Sequence, residues 1–261
     1  MSKNILKTLN KLNHDIVYCS DDNFIEEEYR LFCDMLTVDT TLKSIDFSNV
    51  CFSEYVCHCI CSALKVNTTV TSLNLSTGMI DETYCGSICD MLKVNTTLKS
   101  LDLGNNYLND NSCEFICDIL KTNTTLTHIN LENNEFTYRG CTIICDMLKT
   151  NTTLTSIDLS NNSFHEEGCK FICDMLKVNT TLTSIDLSNN DSGVYKIIED
   201  SVKKSCERNV EIKDRVRDAV ILLITARRYC SSDLNIFPKE IVLMIARMVW
   251  AGKSDLKWMP K

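Results

Sequence analysis

The segment LKSLDLGNNYL at residues 98–108 decides the fold of this chain. Its pattern of apolar residues and asparagine returns every 28 residues, and no insertion or deletion interrupts the register. The copies begin at Leu42, Val70, Leu98, Leu126, Leu154 and Leu182. A period of this length predicts a stack of similar structural units, in which each unit contacts only its neighbours.

Each 28-residue unit is predicted to contain one strand and one helix. Apolar and polar residues alternate in the stretch from Ser156 to Leu159, which is typical of a short strand with one buried face. Further along a unit, Cys113, Ile116 and Leu120 fall on one stripe of a helix. Because packed helices are wider than paired strands, the strands must line the inside of an arc. The predicted fold is an α/β solenoid, or horseshoe, with parallel strands on the concave face and helices on the convex face.

The pattern LxxLxLxxNxL resembles the ribonuclease-inhibitor-like leucine-rich repeats, and the resemblance covers residues 24–193. It implies a full helix on the convex side of each repeat. It leaves function open, because such repeats occur in enzyme inhibitors, GTPase activators, immune receptors and cytoskeletal regulators. The predicted regions are a helical N-terminal cap without a strand of its own (1–41), the repeats (42–193), a capping helix (194–211) and a small α-helical C-terminal module (212–261).

One asparagine per repeat is expected to tie the chain together where it leaves the strand. A buried amide at this position can bond the backbone of its own turn and of the next unit. This ladder consists of Asn106, Asn134, Asn162 and Asn190. Val50 and Gly78 replace the amide in the first two repeats, so less regular turns are expected there. The recurring Asn-Thr-Thr triplets are interpreted as repeat architecture and not as glycosylation sites.

The cysteines follow two columns along the predicted helices, and we expect them to be buried free thiols. Equivalent cysteines on neighbouring helices are a helix width apart, which is too far for a shared zinc site or a disulfide. His58 lies between Cys57 and Cys59, but adjacent helical residues point in different directions and do not form a catalytic pair. We therefore predict no metal, no cofactor and no enzymatic activity.

The composition favours a protein partner over nucleic acid. Residues 1–193 hold 13 Lys and Arg against 26 Asp and Glu, whereas residues 194–261 hold 14 against 9. An acidic repeat region cannot neutralise phosphates, and it suits a basic protein partner better. The longest apolar stretch, residues 219–224, is too short to span a membrane, and no signal peptide is recognised. A cytoplasmic location and no membrane contact are expected.

The candidate partner-binding residues lie on the concave face and on the loops that lead into the helices. Most repeats carry Ser and Asp at the strand positions that face away from the core. The fourth repeat, which begins at Leu126, departs most from this pattern, so a specific contact is expected there. The concave candidates are Lys99, Asp102, His128, Asn130, Glu132 and Asp158. The loop candidates are Tyr107, Tyr138 and Arg139.

The C-terminal module contains an amphipathic helix that begins near Pro238. This segment resembles the first helix of an F-box and, more faintly, a SOCS box, and either resemblance implies recruitment of ubiquitin-ligase components. The residues that carry it are Pro238, Ile241, Met244, Ile245 and Trp250. The alternative is a structural cap, with the repeats acting as a stoichiometric inhibitor or regulator. Near-identical repeats indicate recent duplication, which is typical of virus–host interaction proteins.

Overall fold

Strand and helix alternate with the 28-residue period in the computed structural model, which describes residues 16–18, 26–51, 53–190 and 200–215. The strands form one parallel sheet in sequence order. They are β1 (Ile16–Tyr18), β2 (Ser44–Asp46), β3 (Ser72–Asn74), β4 (Ser100–Asp102), β5 (His128–Asn130), β6 (Ser156–Asp158) and β7 (Ser184–Asp186). Every paired residue lies 28 positions from its partner, so Ile45 pairs with Leu73 and Leu73 with Leu101. The predicted solenoid is confirmed.

The helices cover the other side of the sheet and are amphipathic. They are α1 (Glu26–Leu36), α2 (Glu54–Val66), α3 (Cys85–Val94), α4 (Asp110–Leu120), α5 (Tyr138–Leu148) and α6 (His165–Val178). Ser53, Asn109 and Thr137 cap α2, α4 and α5 by accepting a backbone N–H bond from the first turn. The apolar stripes of these helices, the middle residues of β2 to β7 and apolar residues of the loops form the buried core. Phe47, Phe136 and Phe164, all in loops, are the largest of its fully buried side chains.

The N-terminal region contains a strand, so the prediction that it lacks one was wrong. β1 pairs with β2 in the register of the repeats, with Ile16 opposite Ser44. The residues Ile16, Val17 and Tyr18 have high β-propensity. They lack the leucine pattern of the later repeats, and that pattern was the basis of the prediction. β1 therefore covers the edge that β2 would otherwise expose.

The turns after β2 to β7 each contain a residue in the left-handed region at the same repeat position. These residues are Asn49, Thr77, Asn105, Asn133, Asn161 and Asn189. The turn at Gly78 is less regular, as expected, because Met79 is also left-handed and a short 3₁₀ helix (Glu82–Tyr84) precedes α3. The turn at Val50 keeps the regular conformation and buries the valine side chain.

The chain divides into two compact units, Met1–Val202 and Lys203–Lys261. A further helix, α7, covers residues 200–215 and overlaps the segment 194–211 for which a capping helix is predicted. None of the helices in the described ranges is both long and apolar enough to cross a membrane. The C-terminal residues Pro238, Ile241, Met244, Ile245 and Trp250 lie outside the described residues.

Candidate protein-interaction surfaces

Two polar rows run across the concave face of the sheet, one on each side of the buried middle residue of the strands β2 to β7. We call them the serine row and the aspartate row. The serine row is Ser44, Ser72, Ser100, His128, Ser156 and Ser184. The aspartate row is Asp46, Asn74, Asp102, Asn130, Asp158 and Asp186. Since paired parallel strands lie about 4.8 Å apart, the rows present closely spaced polar groups to a partner.

The side chains of the aspartate row also stabilise the turns that follow the strands, a role that the sequence did not reveal. In each repeat one side-chain oxygen accepts a hydrogen bond from the backbone N–H two residues later, which fixes the turn that follows the strand. The distance is 2.9 Å from Asp102 to Gly104, 2.8 Å from Asn130 to Glu132 and 2.9 Å from Asp158 to Ser160. Aspartate and asparagine serve equally because only one oxygen is used. The charge of the aspartates is therefore not needed for this bond.

The carboxylates of the row are not neutralised by neighbouring cations. Asp46, Asp102, Asp158 and Asp186 form no ion pair with any Lys or Arg within the ranges that the structure describes. Their second oxygen has no hydrogen-bond partner among the same residues. The concave face thus carries a line of uncompensated negative charge.

Repeat four brings three of the candidate residues together. His128 and Asn130 belong to β5, and Glu132 follows directly in the turn. The Nδ1 atom of His128 lies 2.8 Å from the hydroxyl of Thr127, and the Glu132 carboxylate accepts a bond from Asn161 at 3.2 Å. His128 is exposed at the centre of the serine row. Lys99 sits at the start of β4, where its backbone oxygen accepts from Thr127.

The loop edge exposes aromatic and apolar side chains beside the concave face. Tyr107 and Tyr138 are 53% and 54% exposed. Met79, at the same repeat position as Tyr107, is 57% exposed and was missed by the sequence analysis, although the register could have found it. Arg139 is less available, because its guanidinium donates to Asn111 at 3.2 Å and to Glu114 at 2.9 Å.

The predicted asparagine ladder is present, but each amide bonds the preceding repeat, whereas a bond to the next one was expected from the sequence. The Nδ2 atom of Asn106 donates to Leu75 O of the preceding repeat at 3.1 Å and to Leu103 O of its own at 3.0 Å. Asn134, Asn162 and Asn190 repeat these bonds. The ladder holds neighbouring turns in a fixed spacing and so sets the geometry of the concave rows.

A second ladder is formed by the asparagines of the Asn-Thr-Thr triplets. They are Asn67, Asn95, Asn123, Asn151 and Asn179. Each donates through Nδ2 to a helix-end carbonyl of the preceding repeat at 2.7–2.8 Å. Each also accepts two backbone N–H bonds through Oδ1, as Asn95 does from Thr97 and Leu98. With Nδ2 engaged in this way, these amides serve the repeat architecture, as interpreted from the sequence.

The cysteines of the described region are reduced thiols, and most of them are buried. The sulfur atoms of Cys113 and Cys117 are 3.8 Å apart on one helix. Burial raises the pKa of Cys85 to about 11 and that of Cys89 to about 12, so both are neutral thiols. His58 contacts the hydroxyls of Ser87 and Ser62 at 3.1 and 3.4 Å. Among the described residues no three metal-binding side chains converge.

Comparison with known proteins identifies the repeats. A family model described as "Leucine Rich repeat" matches residues 94–117, 122–145, 150–173 and 178–191. Among solved structures, "Leiomodin-1 Actin-Binding Site 2 (ABS2)" is 20% identical, with a TM-score of 0.49, over 79% of this chain and 99% of its own. The Caenorhabditis elegans "tropomodulin C-terminal domain" is 13% identical, with a TM-score of 0.47, over 75% and 98%. No curated protein matches.

The matched repeats and the open parallel sheet backed by helices define the fold as a leucine-rich-repeat solenoid. The matches begin at residue 94, so they cover the regular repeats and leave out the first two, which lack the ladder asparagine.

Proposed function

We propose that this protein is a recognition scaffold whose concave face binds a basic segment of a partner protein. The observation that carries the proposal is the line of uncompensated carboxylates in the aspartate row. Lysine or arginine side chains of a partner would pair with the second oxygen of each aspartate without disturbing the turn bond. Complementary charge of this kind raises association rates and selects against acidic partners.

Repeat four supplies the specific contact in this proposal. His128 and Glu132 interrupt the serine and aspartate monotony, and Tyr107 lies on the loop edge of the repeat before it. An exposed tyrosine beside a charged floor is the kind of residue that carries binding energy in protein interfaces. We therefore assign the centre of the interface to β4 and β5 and to the turns that follow these strands.

Panning a random peptide library against the full-length protein tests the charge of the partner. The selected peptides are expected to be rich in Lys and Arg. A selection dominated by neutral or acidic peptides would contradict the proposal.

Substitution in repeat four tests the position of the interface. The double change His128→Ser with Glu132→Ser is expected to weaken a selected peptide by about tenfold. The matched control, Ser156→Ala with Ser160→Ala, changes the equivalent two positions of the next repeat and should have little effect. Equal losses from both pairs would remove repeat four as the centre.

A second part of the proposal concerns the C-terminal module, which would recruit ubiquitin-ligase components. It is supported by the sequence pattern around Pro238, Ile241 and Ile245. Full-length protein with Ile241→Asp and Ile245→Asp should lose ligase co-purification while its melting temperature stays nearly unchanged. A large fall in melting temperature, with no ligase captured by the wild type, would leave the alternative of a stoichiometric inhibitor or regulator with a structural C-terminal cap.

A further inference from the structure

An apolar groove of about 600 Å³ lies on the convex side between α3 and α4, far from the aspartate row. Its floor is formed by Cys85 and Cys89 of α3, and its wall by Phe115 and Ile119 of α4. Cys85 is fully buried, Cys89 and Ile119 are half-buried, and Phe115 is 52% exposed. The volume lies within the range of about 300–1,000 Å³ that is typical of ligand pockets.

Gly86 creates the groove. The equivalent positions of the neighbouring helices carry His58, Glu114 and Thr142. A Cβ atom added to Gly86 would meet no other atom within 4 Å, so open space begins at this backbone. The missing side chain leaves the ring of Phe115 uncovered.

The other helical glycines of the repeats have packing reasons that Gly86 lacks. A Cβ atom at Gly140 would lie 2.6 Å from Asp110 Oδ1, and one at Gly168 would lie 3.0 Å from the Cys141 sulfur. Glycine inside a helix costs about 1 kcal/mol relative to alanine. At Gly140 and Gly168 a larger side chain would crowd a neighbouring side chain, which explains why glycine stands there despite this cost. At Gly86 no described neighbour would crowd an added Cβ atom.

The chemistry of the groove defines its occupant. Burial and the nearby Cys85 and Asp90 raise the pKa of Cys89, so its thiol is neutral and behaves as an apolar surface. At the rim, Glu82 accepts bonds only from the neutral amides of Asn109 and Asn111, at 3.3 Å. Of the two carboxylates in the lining, Asp118 is paired with Lys121 at 2.8 Å, whereas Glu82 has no cationic partner within the described ranges. An apolar floor beside the unpaired carboxylate of Glu82 suits an apolar group that is flanked by positive charge.

The geometry points to a basic amphipathic helix of a partner protein, with one large apolar side chain inserted beside Phe115 and Lys or Arg facing Glu82. A channel between two parallel helices accepts the ridge of a third helix. An extended strand of a partner could not pair with this site, because the backbone N–H groups of α3 and α4 form hydrogen bonds within their own helices. This site is independent of the concave face and can be tested separately.

Two synthetic helical peptides of equal length serve as probes. They share one leucine and phenylalanine stripe, but the flanks carry lysine in one and glutamate in the other. Fluorescence anisotropy with the full-length protein should show tight binding of the lysine peptide and much weaker binding of the glutamate peptide.

Gly86→Trp fills the groove and should weaken the lysine peptide by about tenfold or more. Thr142→Trp places the same side chain at the equivalent position of α5, outside the groove lining, and should leave binding unchanged. Circular dichroism verifies that both variants are folded. If Gly86→Trp does not fold, Glu82→Gln provides the second variant, because it keeps a hydrogen-bond acceptor and removes the charge. That change should weaken the lysine peptide by about threefold.

Equal binding by Gly86→Trp and the wild type would overturn the proposal, and so would equal losses from both tryptophan variants. A failure of the lysine peptide to bind would do the same. Loss of binding in the charge variant together with full binding in Gly86→Trp would indicate diffuse electrostatic adhesion and not a groove.

Discussion

Replacing Gly140 by alanine should destabilise the protein, although alanine is the better helix former. Asp110, the first residue of α4, reaches across to the start of α5. Its Oδ1 atom accepts the backbone N–H groups of Thr137 at 2.9 Å and of Gly140 at 3.0 Å, and its Oδ2 atom accepts the Thr137 hydroxyl at 2.5 Å. One carboxylate thus caps the helix of the next repeat.

The alanine methyl group would occupy the position of this carboxylate. Its carbon would lie 2.6 Å from Asp110 Oδ1 and 3.1 Å from Phe136 Cβ, so the carboxylate must move. Hydrogen bonds to a charged acceptor contribute about 1.5–3 kcal/mol each, and at least one of them is lost. The gain in helix propensity is about 1 kcal/mol. The free energy of unfolding should therefore fall by about 1–2 kcal/mol.

Urea denaturation measures this difference, and Gly86→Ala is the matched control. The same substitution at Gly86 meets no atom within 4 Å, so it should raise the free energy of unfolding by about 0.5–1 kcal/mol. The two variants should therefore shift the denaturation midpoint in opposite directions. If Gly140→Ala were as stabilising as Gly86→Ala, the cross-repeat cap by Asp110 would be refuted.

Two further predictions follow from single residues. Exposed Cys51 should be alkylated quickly in the native protein, whereas buried Cys113 should be alkylated only after unfolding. Peptide mass spectrometry measures both rates, and equal rates in the native protein would contradict the burial of Cys113. Burial alone would raise the pKa of Asp39, but the N–H bonds from Leu42 and Thr41 together outweigh it, so the pKa lies below its ordinary value. The stabilisation by this carboxylate is complete above the unfolded-state pKa and disappears as the pH falls through the folded pKa. Asp39→Asn should therefore flatten the acid side of the profile of melting temperature against pH, and an unchanged slope would contradict it.

The repeat register predicted the parts of the fold that every unit shares. The spacing of Leu98, Leu101 and Leu103 placed the strand, the buried face and the start of the turn, and Asn106 marked the ladder. These features depend on local periodicity and on stacking, which a sequence carries directly. The strand Ile16–Tyr18 could not be found in this way, because it pairs by register but lacks the leucine pattern.

The surfaces were harder to predict because they depend on contacts between repeats. Alternation showed that Asp102 faces away from the core, but not that one of its oxygens fixes the turn at Gly104. Arg139 looked available in the sequence and instead bonds the preceding repeat. The convex groove lies where Gly86 has no side chain. The sequence shows the glycine but does not show that the space around it is open.

The most direct test of the concave recognition face is the salt dependence of binding in the double variant Asp102→Asn with Asp158→Asn. Asn74 and Asn130 already form the turn bond at 2.9 and 2.8 Å, so the variant should keep its structure and melting temperature. The affinity of a basic peptide selected on the wild type should fall by about tenfold at low ionic strength. The two proteins should converge as salt rises from about 0.05 to about 0.5 M, because screening removes the contribution of the carboxylates. Equal affinities of the folded variant and the wild type at low salt would contradict an acidic concave recognition face.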